Sequence, residues 1–237
     1  MKFIFLLSAA AAISTPALSA DAILYTEPAP LVIADPTAYS WNGGYIGAQA
    51  GYVWGDSTYT KPEFPGYAAY FDPEGFLGGL YAGYNYQLNS NIVLGGELDF
   101  AISGIDGETL YYENGAPMDD ILGTAEMKWS GALRARVGYA FDRFMPYLAG
   151  GLAFARYEYG VWNAAADTGF RTSETMTGWT IGGGAEFAAT DNLILRAEYR
   201  YSDFGDNRVD EAATMNWWTN DVDLKTHDIR LGIAYKF

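Results

Sequence analysis

The sequence predicts an all-β protein, an eight-stranded antiparallel transmembrane β-barrel with short periplasmic turns and long extracellular loops. Three observations predict this class. Eight segments alternate between apolar and polar residues, short and long links follow one another regularly between them, and aromatic residues collect at the segment ends. After the first 20 residues no stretch is apolar for long enough to form a membrane-spanning helix, so insertion into a membrane requires a closed barrel.

The first 20 residues have the three-part layout of a secretory signal peptide. Lys2 supplies the positive charge, a short apolar run follows, and small residues surround the expected cleavage site near Ala20. Residues 21–40 are predicted to be a Pro-rich periplasmic leader, because their prolines interrupt any regular structure. Residues 41–237 are then predicted to form one outer-membrane barrel domain.

Each of the eight segments has one apolar face and one polar face, as a strand with two different surroundings requires. In the last segment the apolar face carries Ile229, Leu231, Ile233, Tyr235 and Phe237. Each segment is near the ten-residue length that a tilted membrane strand needs. The segments are 44–54, 76–87, 92–102, 126–141, 146–157, 177–188, 193–204 and 223–237.

The links between the segments differ in length in a regular way. Short links lie at 88–91, 142–145 and 189–192, and long links lie at 55–75, 103–123, 158–174 and 205–222. The long links hold 16 acidic and 3 basic residues, which predicts a negatively charged outer surface. A soluble, lipocalin-like barrel would show the same alternation with its faces inverted. The sorted links and the aromatic segment ends favour the membrane barrel.

The polar faces of the segments carry charges of both signs at similar heights. The predicted cluster inside the barrel consists of Glu97, Asp99, Arg134, Arg136, Glu198, Arg200, Asp228 and Arg230. Counted from the turns without strand stagger, Glu97 lies opposite Arg136 and Asp99 opposite Arg134. Because an eight-stranded barrel is only wide enough for its own side chains, paired charges are expected to fill it. A narrow polar pore is the alternative interpretation.

Composition excludes several functions. The chain has no cysteine, one histidine and a net charge of −15, so we expect no thiolate chemistry and no nucleic-acid partner. His227 lies on the apolar face, away from Thr226 and Asp228, so no catalytic constellation is predicted. We therefore expect no enzyme activity, no cofactor and no metal site.

Paired aromatic residues in two long links are the candidate loop contacts. Rings exposed in a loop are costly, so they either pack the loops together or contact a ligand. They are Tyr111, Tyr112, Trp217 and Trp218.

Several phrases together resemble one family, the small alphaproteobacterial outer-membrane β-barrel proteins described as porin-like or outer-membrane immunogenic proteins, with a hemin-binding branch. The phrases are WNGGYIGAQAGYVWG, PYLAGGLAFA, GWTIGGGAEFA, NLILRAEYRYSDFG and the final HDIRLGIAYKF. The resemblance implies an outer-membrane barrel with antigenic surface loops. It also implies insertion by the barrel-assembly machinery, which would read Ile233, Tyr235 and Phe237 in the last strand.

The sequence thus predicts a monomeric, non-catalytic barrel in the outer membrane, in contact with outer-membrane lipid and lipopolysaccharide. Its expected work is envelope integrity and surface interaction through acidic loops. A narrow porin-like channel for small solutes or ions is the first alternative. Binding of hemin or a host ligand by the loops is the second.

Overall fold

A computed structural model describes residues 39–60, 66–210 and 219–237. The predicted signal peptide and nearly all of the predicted leader lie outside these residues. The strands are β1 (Gly43–Thr60), β2 (Tyr67–Phe71), β3 (Glu74–Gln87), β4 (Ile92–Glu113), β5 (Ala116–Tyr139), β6 (Phe144–Asn163), β7 (Thr168–Ala188), β8 (Leu193–Asp210) and β9 (Thr219–Lys236). In the described part of the chain, no helix has the length and apolar character needed to cross a bilayer.

All strand pairs are antiparallel, and the sheet closes on itself. Sequential strands from β3 to β9 are neighbours, while β1 pairs with β3 on one side and with β9 on the other. Eight long strands form this ring, as the sequence predicts. The remaining strand, β2, is short. It pairs with the C-terminal ends of β1 and β4.

The outer face of the ring is an exposed apolar band to which every ring strand contributes. Representative residues, one from each strand in ring order, are Ile46, Leu80, Leu98, Leu133, Leu152, Ile181, Leu195 and Leu231. A surface of this size would be costly in water but is the expected covering of a membrane barrel. The period-two pattern of the sequence therefore places its apolar face outward.

The long links expected at 103–123 and 158–174 are mostly strand, and strand residues also occupy parts of the expected links at 55–75 and 205–222, so that part of the prediction is wrong. Strands β4 and β5 continue to a two-residue turn at Asn114 and Gly115, both with positive φ, 50° and 82°. This pair adopts the conformation that suits tight hairpins, because asparagine and glycine tolerate positive φ. Strands β6 and β7 likewise continue to a turn at 164–167. We call this end of the barrel the hairpin end and the opposite end the turn end.

The interior is layered along the barrel axis, and β8 shows the order most simply. Its inward residues begin with Ile194 at the turn end, continue through three charged residues, and finish with Ser202 and Phe204. Aromatic and aliphatic side chains fill the lumen on the turn side of the charges, including Tyr45, Tyr81, Val93 and Met145. A larger apolar layer fills it on the hairpin side, including Val53, Phe71, Leu77, Ile105, Met127, Tyr157, Met176 and Leu224.

Two aromatic residues just before β1 close the turn end. Trp41 is fully buried, its indole N–H donates to the backbone oxygen of Asp142 at 2.8 Å, and its backbone N–H donates to Gln87 at 2.8 Å. Tyr39 packs edge-on against this indole at 5.0 Å, and burial raises the pKa of its hydroxyl to about 12. Tyr39, a residue of the predicted leader, therefore packs against the barrel.

Replacing Trp41 with Ala should lower the free energy of unfolding by about 3–5 kcal/mol, because it opens a cavity and removes an indole hydrogen bond. Urea unfolding in detergent, followed by heat-modifiable migration on gels, would measure this change. The exposed neighbour Ser40, changed to Ala, is the matched control and should alter stability by less than about 0.5 kcal/mol. Equal behaviour of the two variants would show that the turn end is not packed.

Candidate functional site: the charged layer of the lumen

The candidate site is a layer of ten charged side chains in the middle of the lumen, which we call the charged layer. Five are carboxylates and five are guanidinium groups, and every residue is 4 % exposed or less. They occupy inward positions of five strands, β4, β5, β7, β8 and β9. The members are Glu97, Asp99, Arg134, Arg136, Glu186, Arg196, Glu198, Arg200, Asp228 and Arg230.

Glu97 lies at the centre of one half of the charged layer. It accepts from Arg134 at 2.6 Å and from Arg196 at 2.5 Å, and Arg136 lies 3.4 Å away. Arg136 and Arg196 also share Glu186, at 2.9 Å and 2.6 Å. Two carboxylates thus bridge three guanidinium groups, so each charge has an opposite charge in direct contact.

Asp99 has the same position in the other half. It lies 3.0 Å from Arg200 and 3.1 Å from Arg230. Arg230 is also paired with Asp228 at 2.5 Å. Arg134 connects the halves, because it contacts Glu97 and also donates to Glu198 at 2.8 Å. The charged layer is therefore one continuous network with no net charge.

Three tyrosines complete the network on the turn side. Tyr45 accepts from Arg136 at 2.7 Å and donates to Glu97 at 2.8 Å. Tyr147 donates to Glu198 at 2.6 Å, and Arg136 stacks over its ring at 4.1 Å. Arg196 stacks over Tyr81 at 4.0 Å. These rings supply both hydrogen bonds and cation–π contacts, which lower the cost of burying the charges.

The structure brings all eight sequence-predicted cluster residues together but corrects their pairing. Glu97 lies opposite Arg134, and Arg136 lies opposite Gly95. The expected register was wrong by two residues because neighbouring barrel strands are staggered. The prediction also omitted Glu186 and Arg196. The inward parity of Arg196, on the strand that carries Glu198 and Arg200, was a usable signal, whereas Glu186 is the single member on β7.

The charged layer leaves little open space. A cavity of about 20 Å³ lies between it and the hairpin-side apolar layer, lined in part by Arg200, Arg230, Ser202 and Thr226. This volume holds about one water molecule. Among the described residues, no group of three or more acidic, histidine or cysteine side chains could hold a metal ion.

The candidate loop contacts divide into three cases. Tyr111 lies on β4 with its ring buried in the hairpin-side layer, where its hydroxyl hydrogen-bonds that of Tyr159, so its prediction as a loop contact is wrong. Tyr112 lies on the same strand, half-buried, 6.3 Å from the ring of Tyr70. Trp217 and Trp218 lie outside the described residues.

His227 faces outward from β9, as its parity predicts. Its Nδ1 lies 2.7 Å from the hydroxyl of Tyr199, and its ring stacks on Trp54 with centroids 5.9 Å apart. Thr226 and Asp228 point to the opposite, inner side and are buried. The histidine is therefore part of an aromatic cluster on the outer face of the wall.

An antiparallel ring with an apolar outer band and paired charges inside defines the protein as an outer-membrane β-barrel. The chain belongs to the outer membrane protein beta-barrel domain family, whose model matches residues 3–237. It is an outer-membrane protein, and its fold and location agree with those predicted from the sequence.

Curated relatives support the same assignment. The chain is 36 % identical to the 31 kDa outer-membrane immunogenic protein of Brucella melitensis, over 100 % of both chains. It is 34 % identical to the 25 kDa outer-membrane immunogenic protein of Brucella abortus, over 94 % of this chain and 92 % of that one. It is 30 % identical to the 22 kDa outer membrane protein of Rhizobium leguminosarum, over 84 % and 80 % of the two chains.

Solved structures agree in fold. The outer membrane protein OprG from Pseudomonas aeruginosa has a TM-score of 0.53 and 14 % identity, covering 83 % of this chain and 97 % of that one. The outer membrane protease OmpT from Escherichia coli has a TM-score of 0.52 and 7 % identity, covering 84 % and 98 %. At these identities the likeness concerns the fold alone.

Replacing Arg134 with Ala should cost about 3–5 kcal/mol of stability, because it leaves Glu97 and Glu198 buried without their bridging cation. Equilibrium unfolding in detergent would measure the loss. The exposed pair of Lys225 and Asp223 provides the control, and Lys225→Ala should cost no more than about 1 kcal/mol. Similar small effects of both changes would mean that the charged layer is hydrated.

Proposed function

We propose that this protein is a structural, non-catalytic barrel with a closed lumen that contributes to the integrity of the outer membrane and to contact with the cell's surroundings. The observation that carries the proposal is the charged layer. Its five negative and five positive charges balance one another and are in direct contact, and apolar layers cover them on both sides. An ion would have to break several of these pairs in order to pass.

The outer apolar band supports the proposal that the protein functions as a monomer surrounded by lipid. Exposed apolar side chains come from all eight ring strands, so hydrocarbon can cover the whole circumference. Aromatic residues lie at both edges of the band, with Phe100 and Trp179 toward the hairpin end and Tyr84 and Phe187 toward the turn end. Such girdles are typical of both membrane interfaces.

The hairpin end supports the surface role. We place it outside the cell, because outer-membrane barrels carry their larger projections on the extracellular side, and here β4 to β7 extend beyond the apolar band as hairpins at this end while the turn end has only four-residue links. Its described strands and links expose many carboxylates, and those side chains would meet the external medium and the headgroups of lipopolysaccharide. They include Asp72, Glu74, Asp106, Glu108, Glu113, Asp119, Asp120, Asp167 and Glu174.

The last strand supports recognition by the barrel-assembly machinery. Ile233, Tyr235 and Phe237 all face outward and are about half exposed or more, at 48 %, 52 % and 74 %. The backbone N–H of Phe237 donates to Gly44 at 3.0 Å, which fastens the closing seam between β9 and β1. A partner that reads this strand would find its apolar side chains before lipid covers them.

The purified protein in planar bilayers should show no steady conductance. The charged layer and its two apolar covers leave no continuous water path, so current traces should stay at the level of the lipid alone. Antibiotic uptake by a deletion strain would report the envelope role in parallel, and it should rise because the envelope is weakened. Stable channels with salt-dependent conductance would contradict the closed lumen and favour the porin-like alternative.

Removing Phe237 should reduce membrane insertion several-fold and leave unfolded chain in the periplasm, because both the outward ring and a seam hydrogen bond are lost. The heat-modifiable fraction in outer-membrane preparations measures this. Lys236→Ala changes the neighbouring residue but keeps the outward aromatic pair, so it should insert normally. Equal insertion of the two variants with the unchanged chain would argue against a role for this residue in assembly.

A further inference from the structure

A groove crosses the outer face of the wall near the hairpin end, well above the apolar band. One part of it, of about 460 Å³, is lined by Leu122 and Thr124 of β5, Trp162 of β6 and Arg171 of β7. A second part of about 320 Å³ continues over β4 and β5 and shares Thr124 and Arg171 with the first. Since the strands are fully paired here, the groove is a feature of a rigid wall.

Trp162 is the main feature of the groove, and a glycine on the neighbouring strand leaves room for its ring. Trp162 is 46 % exposed although it lies outside the aromatic girdles. Its register partner is Gly169, and a Cβ atom at that position would lie 2.5 Å from Cε3 of the ring. The indole therefore lies across the neighbouring strand as a flat, solvent-facing platform.

The charges in the groove are already paired with one another. Glu126 contacts Lys128 and lies 3.8 Å from Arg171, while Lys128 also lies 3.6 Å from Glu158. Asp106 and Glu108 add further negative charge to the second part. A phosphate would be repelled by these carboxylates. A sugar, whose hydroxyl groups both donate and accept, would match paired donors and acceptors beside an aromatic platform.

The height of the groove indicates where that sugar comes from. Leu122 precedes Trp129 by seven residues on β5, and Trp129 packs on the girdle residue Phe100 at 5.7 Å. Seven residues of a tilted strand rise about 15–20 Å. The groove opens sideways at that height, toward neighbouring lipids. The saccharide part of lipopolysaccharide lies there, above its phosphates and acyl chains.

We propose that this groove binds the core oligosaccharide of outer-leaflet lipopolysaccharide, with a neutral sugar ring packed on Trp162 and its hydroxyl groups hydrogen-bonded to Thr124, Glu126 and Arg171. The inference rests on the outward placement of the hairpin end in the proposed function. It names a site and a chemistry for the lipid contact. The groove would hold the barrel laterally to the surrounding glycolipid.

Calorimetric titration of the full mature protein, folded in neutral detergent, tests the proposal. The probe is core oligosaccharide released from lipid A by mild acid. Binding should be measurable, and Trp162→Ala should weaken it about tenfold or more, as loss of a central aromatic contact does. Gly169→Val should have a similar effect, because the new side chain displaces the indole. Heat-modifiable migration checks that each variant is folded.

The matched control is Trp179→Ala, which removes a tryptophan of similar exposure, 50 %, from the girdle. It should leave oligosaccharide binding unchanged. Absence of binding to the unchanged protein, or equal binding by Trp162→Ala, would overturn the proposal. Competition by lipid A instead would indicate a phosphate site, and equal affinity for maltoheptaose would indicate unspecific stacking. Bilayer conductance is measured separately. Steady conductance together with intact oligosaccharide binding would contradict only the closed lumen of the proposed function, not the oligosaccharide site.

Discussion

The burial of ten charges in one cross-section of a narrow barrel is the constraint on which the rest of the structure depends. Each charge alone would cost several kcal/mol in a lumen away from bulk water, and only mutual pairing offsets that cost. Four of the carboxylates are therefore shared between arginines, and each of the five arginines contacts at least one carboxylate. Because strands carry these groups at set heights, the pairing also selects the register of the sheet.

The layers on either side follow from the same constraint. Ion pairs are strongest where water is excluded, and aromatic and aliphatic side chains exclude it on both sides of the charged layer. At the turn end this covering includes Trp41, which the chain supplies before its first strand begins. The outer face meets the opposite requirement, because hydrocarbon replaces water there. The outer band and the closed lumen are thus two consequences of one alternating pattern.

Much of this architecture could be predicted because period two is a local signal. It identified the eight ring strands, the outward face and eight of the ten charged residues. The stagger between neighbouring strands is not a local property of the sequence. The register pair of Glu97 and Arg134 therefore could not be predicted by counting residues from the turns. The hairpins were missed because the outward positions of β4 beyond the apolar band are polar, as at Asp106 and Glu108, and because β5 exchanges its faces between Trp129 and Met127. The Asn114–Gly115 pair was the remaining signal of a tight turn, and Tyr111 turns inward beside it.

The claim that the charged layer is dry and locked is tested most directly by hydrogen exchange of the arginine side chains. In ¹⁵N-labelled protein in lipid nanodiscs, the Nε–H signals of Arg134, Arg196 and Arg200 should persist for hours after transfer to deuterated buffer. Arg143, at the turn end and half exposed, provides the internal reference and should exchange at once. Exchange of the lumen arginines as fast as Arg143 would contradict the account, because it would show that water reaches the charged layer freely.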